Sequence, residues 1–357
     1  MCDFHLVNAI NLVHMQKALV VKLSILVVLG VLYCLKDAVS ECPASSITEA
    51  YESAIEKSEK NNRIIEMIEL VKGNIKLDLE KPAEGYQGVR FDWTGKAVQL
   101  WWGDISFVTT ENFKSNSLNE GRGFFNEFGI TDPVGYNDCK VGDYFPKIGV
   151  GLLKKESNKP YDFFHNYINK PFEFSEVRGK DSVVFHCLNK DFDSAFFLEK
   201  KFTITEDGFT IDYLLENVGN KVIETTEYTH NFLSLGARKV SPNTKLIFKG
   251  EIKEKQFDKG LKANATCMDD SHTIAWHQIP ESDFFFEDIA IPQSKKINWT
   301  LIDEELKMGI CEQVDFKPAK INLWGRGHVV SPEIFKSIKL KPGEQDQWQR
   351  QYKIFQF

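Results

Sequence analysis

Phe196-Phe197-Leu198-Glu199-Lys200-Lys201-Phe202-Thr203-Ile204-Thr205, Glu206-Asp207-Gly208, then Phe209-Thr210-Ile211-Asp212-Tyr213-Leu214-Leu215-Glu216: this stretch decides the fold. Phe202 and Ile204 alternate with polar residues, as do Phe209, Ile211, Tyr213 and Leu215, so each run presents one apolar face at the strand period of two. Asp207-Gly208 supplies the backbone freedom of a tight turn, and together the runs read as an antiparallel hairpin. The same pattern recurs outward. Ile64 to Lys72 and Ile75 to Glu80 flank Gly73-Asn74, Phe172 to Arg178 and Ser182 to Leu188 flank Gly179-Lys180-Asp181, and Gly219-Asn220 leads into Val222 to Phe232. Further strands are expected at Lys245 to Glu251, His272 to Ile279, Lys307 to Phe316, Ala319 to Trp324 and Ser337 to Leu340, and Pro342-Gly343 turns into a last one, Trp348 to Phe355. After residue 65 no long helical period and no strand–helix alternation occurs, which excludes a parallel α/β sheet.

The predicted architecture is therefore all-β: one large antiparallel β-sandwich over residues 62–357, preceded by a short helical lead-in at 41–61. Composition agrees. Twenty-eight Phe, 10 Tyr and 7 Trp in 357 residues favour pleated, half-buried surfaces, and 42% hydrophobic with 27% charged residues is the balance of a chain that builds a core. The 44 Lys and Arg against 51 Asp and Glu, net −7, leave no electrostatic footprint for nucleic acid. The stretch Thr109 to Pro146 reads as one long irregular loop, packed by its own aromatic residues, and loops of that length are commonly functional.

Residues 1–40 read as a targeting segment. Leu23 to Leu35 is apolar but short for a bilayer span, Lys17 and Lys22 stand before it, and Ala38-Val39-Ser40 presents small residues where a signal peptidase cuts. Met15 is the natural start of such a peptide, with residues 1–14 an upstream extension; the alternative is an uncleaved membrane anchor. The expected location is thus exported, periplasmic or secreted, with a membrane contact only if this segment stays in place. Cys42, Cys139, Cys187, Cys267 and Cys311 remain after cleavage, and their odd number and wide spacing signal neither a disulfide scaffold nor a zinc site. Walker, dinucleotide, His-Glu-x-x-His and Gly-x-Ser-x-Gly patterns are absent, and no cofactor is called for.

Chemistry-bearing residues cluster in three places. Strand alternation puts Tyr228, His230 and Phe232 on one face, and an imidazole there suits proton transfer near neutral pH. Trp324 to Phe335 reads as a loop, broken by Gly325, Gly327 and Pro332, that offers an indole and the Glu333 carboxylate. Asn119 to Gly129 interleaves Arg122 and Glu127 with phenylalanines, which is what a sugar site needs: apolar faces for ring C–H groups and polar groups for hydroxyls.

These residues together resemble the aldose 1-epimerase, or galactose mutarotase-like, superfamily. The resemblance runs from about Ile64 to the C-terminus. It is carried by Gly88-Val89-Arg90-Phe91-Asp92-Trp93-Thr94-Gly95, Asn126-Glu127-Phe128-Gly129, Lys147-Ile148-Gly149-Val150-Gly151, Tyr161-Asp162-Phe163-Phe164, Thr229-His230-Asn231-Phe232, Val330-Ser331-Pro332-Glu333 and Leu340-Lys341-Pro342-Gly343-Glu344. It implies a large β-sandwich and an isomerase that interconverts sugar anomers without a cofactor, with His230 as general acid and Glu333 as general base. Arg122, Glu127, Lys147, Asn231, Trp324 and Arg90 are the candidate sugar contacts. The implied partner is a small sugar or a glycan. Another carbohydrate-active enzyme, a lyase or hydrolase, and a non-catalytic sugar-binding module are the alternatives on the same fold.

Overall fold

The computed structural model describes residues 66–357 apart from 114–116, 191–192, 263–264 and 292–296. The expected targeting segment and the helical lead-in at 41–61 lie outside the described residues. Among those residues, two large antiparallel sheets and a three-stranded one make up the fold. Among the described residues one α-helix, Glu254–Lys259, lies mid-chain with a short 3-10 turn at Leu235–Ala237 before it, and no helix there is long and apolar enough to cross a membrane.

The ten-stranded sheet contains two of the hairpins that the sequence announces, and the third, Met67–Lys72 with Ile75–Glu80, lies in the nine-stranded sheet. Phe196–Ile204 pairs with Gly208–Asn217, with Phe202 opposite Ile211 and Leu198 opposite Leu215, and each strand buries alternate residues as its pattern requires. Gln345–Gln356 pairs beside Gly208–Asn217 and turns Trp348, Arg350, Tyr352 and Ile354 inward. The nine-stranded sheet runs in the order Met67–Lys72, Ile75–Glu80, Lys96–Trp102, Phe124–Phe128, Ile223–Asn231, Val329–Leu340, Lys320–Arg326, Phe284–Phe286, with Ile105–Ser106 pairing Lys96–Trp102 off this path. Leu77, Leu100, Phe124, Phe128 and Ile338 from this sheet join Val183, Leu198, Ile211, Ile310 and Tyr352 from the other in one buried cluster, the sandwich core. A second cluster, with Phe91, Phe125, Phe232 and Val329, covers the opposite face of the nine-stranded sheet, together with Phe145 and Leu153 from the three-stranded sheet of Tyr144–Lys147, Gly151–Lys154 and Asn169–Pro171.

Two expectations need correction. The stretch Thr109 to Pro146 is not one irregular loop, because it contains the central strand Phe124–Phe128 and the strand Tyr144–Lys147. Trp324 to Phe335 is likewise not a loop: Lys320–Arg326 and Val329–Leu340 are paired strands joined at Gly327-His328. The reason is burial on both faces. All five residues of Phe124–Phe128 are buried, so no polar face exists to mark the strand period. The four described cysteines, Cys139, Cys187, Cys267 and Cys311, are free thiols.

The core is not wholly apolar. Arg350, fully buried, donates to Glu227 Oε2 and Glu312 Oε1, each at 2.7 Å, and to the Ile334 carbonyl at 2.8 Å. Glu312 also accepts from Trp299 Nε1 at 2.7 Å and Tyr352 at 3.1 Å, while Glu227 accepts from Asn126 at 2.8 Å. Burial pushes the Glu312 carboxyl up, although the Arg350 charge opposes the rise. Glu227 belongs to one sheet and Arg350 and Glu312 to the other, so the guanidinium rivets the two layers. Arg350→Met is expected to leave two carboxylates buried without their cation and to cost about 3–5 kcal/mol, read from urea unfolding.

Candidate functional site

The site is built on three adjacent strands of the nine-stranded sheet. Phe124–Phe128 pairs with Ile223–Asn231 so that Glu127 stands opposite Tyr228 and Phe125 opposite His230. On the other side the register runs from Ile223 opposite Leu340 to Glu227 opposite Lys336 and resumes at Leu233 opposite Val330. Continuing that count sets Phe335 opposite Tyr228 and Glu333 opposite His230. Side chains agree: Tyr228 and Phe335 stack with centroids 4.1 Å apart, and Glu333 Oε1 lies 2.9 Å from His230 Nδ1. The oxygen stands off the N–H direction, so Nδ1 has no aligned hydrogen bond. Phe232 stacks on the imidazole at 5.3 Å, as alternation predicts for Tyr228, His230 and Phe232 sharing a face.

At the other ring nitrogen the groups are denser. Tyr228 OH touches Nε2, Arg90 Nη2 lies 3.1 Å away and Glu127 Oε2 3.4 Å away. Arg90 also donates to Glu127 Oε2 at 3.1 Å and to Glu111 Oε1 at 3.2 Å, and Tyr228 donates to Glu127 at 2.9 Å. Lys147 Nζ, 3.5 Å from Glu127 Oε1, donates to the Gly129 carbonyl at 3.2 Å. Burial alone would lift the Glu127 carboxyl, but the Arg90 and Lys147 charges hold it down at about 2. Burial lowers Lys147 to about 8 despite Glu127. Burial disfavours a charged His230, and Arg90 repels it, yet Glu333 and Glu127 outweigh both and its pKa is raised.

Of the residues expected from sequence, Arg90, Glu127, Lys147, His230 and Glu333 therefore gather in one cluster. Three do not. Arg122 pairs instead with Glu80, which also meets Lys96. Asn231 is one residue out of phase with His230, so its amide points into the sandwich, to the Pro332 carbonyl at 2.6 Å and Glu312 at 3.3 Å. Trp324 lies opposite Ser331 and packs its edge on Phe232 at 6.2 Å, separated by Phe232 from the imidazole. Sequence reasoning missed Glu111, which lies in an unpatterned stretch, and Ser331, whose hydroxyl donates to Glu333 Oε1 at 3.2 Å.

The cluster is closed over. Arg90, Lys147, His230, Glu127 and Glu333 are all at most 5% exposed. Phe163 and Phe164 lie over the Arg90 guanidinium at 4.7 and 5.2 Å, and Asn119 fastens their turn by donating to the Phe164 carbonyl at 3.0 Å. A cleft of about 770 Å³ lined by Asp138, Cys139, Tyr144, Asp193 and Lys221 shares no residue with the cluster. Among the described residues, no group of three His, Cys, Asp or Glu side chains is arranged to hold a metal ion.

No family model and no curated relative matches the sequence. Solved structures do. A candidate aldose 1-epimerase from Escherichia coli K12 superposes with a TM-score of 0.54 at 11% identity, covering 82% of this chain and 99% of that one. A galactose mutarotase-like protein from Lactobacillus casei gives 0.50 at 11%, covering 81% and 100%, and one from Clostridium acetobutylicum 0.50 at 10%, covering 83% and 100%. At such identity the likeness defines the fold alone: this chain has the architecture of the galactose mutarotase-like proteins.

One consequence is a pH dependence. Glu127, at about 2 in the fold against an ordinary 4.5, stabilises the native state above pH 4.5 and loses that contribution as pH falls toward 2. The difference is on the order of 3 kcal/mol. Urea unfolding between pH 3 and 6 should show the decline in the wild-type chain and a flatter profile in Glu127→Gln.

Proposed function

We propose that the chain is an aldose 1-epimerase-type isomerase, with His230 as acid and Glu333 as base toward a sugar. The observation that carries the reading is their placement directly across two neighbouring strands, on one face, with 2.9 Å between Nδ1 and Oε1. Ring opening needs one proton to leave the anomeric hydroxyl and another to reach the ring oxygen as the bond from that oxygen to the anomeric carbon breaks. Glu333 takes the first proton, and imidazolium His230, favoured by its raised pKa, gives the second. Rotation about the bond between the first two carbons and the reverse transfers close the ring on its other face, restoring both groups. Arg90, Glu127 and Lys147 supply the polar rim for hydroxyls. Access requires the Phe163-Phe164 turn to leave Arg90 and the 2.9 Å contact of His230 with Glu333 to open around the sugar, since every charged group beneath the turn is buried.

The same His230–Glu333 contact also favours a second reading, a sugar-binding module in which the pair is a structural ion pair. Wild-type protein mixed with pure α-anomers and followed by optical rotation separates the two. The isomerase reading expects interconversion above the spontaneous rate, nearly abolished in Glu333→Gln and slowed about a hundredfold or more in His230→Asn. Full activity in a folded Glu333→Gln chain sinks it. Export is proposed from the apolar run Leu23 to Leu35 and the small residues after it, and mature protein is expected to begin at Glu41 on N-terminal sequencing.

A further inference from the structure

We propose that Ser331 is a positioning residue, whose hydroxyl holds the Glu333 carboxylate beside the His230 ring, next to a gap in the ladder at Pro332. Pairing between Ile223–Asn231 and Val329–Leu340 stops after Glu227 opposite Lys336 and returns only at Leu233 opposite Val330. The lapse brackets the His230–Glu333 pair. At the Asn231 rung the cause lies in the sequence: Pro332 falls where the strand would give an N–H to Asn231, and proline has none.

Three backbone groups along this gap are met by side chains. Asn231 Nδ2 donates to the Pro332 carbonyl at 2.6 Å, and Arg350 takes the Ile334 carbonyl at 2.8 Å. The Asn231 N–H, left without a ladder partner, donates to Ser331 Oγ at 3.1 Å, and that hydroxyl donates in turn to Glu333 Oε1 at 3.2 Å. This oxygen is the one 2.9 Å from His230 Nδ1. Ser331 is fully buried, so its hydroxyl has no water to prefer. With an N–H feeding its oxygen, the hydroxyl hydrogen is directed at the carboxylate, and a hydrogen bond to an ionised acceptor is a strong one. The serine thus ties the backbone of the strand that carries the acid to the side chain of the base. This role rests on the acid–base reading of the pair, but its geometry can be tested apart from activity.

The probe is the titration of His230, followed through its imidazole ring by NMR in the purified chain. Groups facing that ring are Glu333 and Ser331 from one neighbouring strand, Glu127 from the other, Tyr228 from its own, and Arg90 from the segment before Lys96–Trp102, with Glu111 and Lys147 one contact further out. In Ser331→Ala the carboxylate is free to turn away from the ring, and as that counter-charge recedes the His230 pKa should drop by about half a unit to one unit. Ser331→Thr, which keeps the hydroxyl, should restore the wild-type titration. If Ser331→Ala fails to fold, the near-isosteric Ser331→Cys, a weak donor, should show the same downward shift. An unchanged His230 titration in whichever of these two folds overturns the proposal. In the anomer assay the Ser331→Ala chain should lose kcat with KM unchanged, and Ser331→Thr should recover it. A wild-type chain that moves no anomer while the titration still shifts would defeat the isomerase reading and leave the positioning role standing.

Discussion

A single guanidinium inside the sandwich sets the terms for the rest of the molecule. Arg350 reaches from the ten-stranded sheet to Glu227 on the nine-stranded one and holds Glu312 on its own, with all three side chains fully buried. Charges in such a place are tolerable only when each is paired and hydrogen-bonded, and here Trp299, Tyr352, Asn126 and Asn231 complete the set. The requirement fixes how the strand carrying Glu227 sits over the core. That strand also carries Tyr228 and His230 on its other face, so the buried network and the candidate site are two sides of one strand.

The site inherits its geometry from strand register more than from loops. His230 and Glu333 meet because two antiparallel strands place them in one row, and Tyr228 with Phe335 forms the next row. Sheet-borne groups are held more rigidly than loop-borne ones, which fixes the spacing of the pair. The cover of Phe163 and Phe164 over Arg90 keeps water from the cluster, and exclusion of water strengthens every charge interaction within it. A neighbouring carboxylate, Glu127, is held ionised by Arg90 and Lys147 and serves as the fixed counter-charge of the cluster.

Legibility followed burial. The hairpin of Phe196–Ile204 and Gly208–Asn217 has one half-wet face, and its alternation spells out both strands and their turn. Phe124–Phe128 and the start of Val329–Leu340 are covered on both faces, so the same rule finds no period in them. Pro332 misleads further, since a proline inside an apparent strand argues for a loop unless its missing N–H falls at an opened rung. His230 and Glu333 were legible from motif resemblance, and the shared face of Tyr228, His230 and Phe232 from alternation. The inward turn of Asn231 is likewise implied by phase alone, whereas the departure of Arg122 toward Glu80 has no sequence signal.

By itself the sequence determined an antiparallel β protein with its turns, the strand bearing His230, and the chemical types available to the candidate site. Periodicity and turn chemistry are local, so a chain read residue by residue contains them. Only the tertiary structure decided that Glu333 lies on a strand, that Arg350 spans the layers, that Glu111 and Ser331 join the cluster, and that aromatic rings close it. Those outcomes depend on contacts between segments from about twenty to more than a hundred residues apart, where sheet register and the need to satisfy every buried charge select one arrangement from many that the local pattern allows.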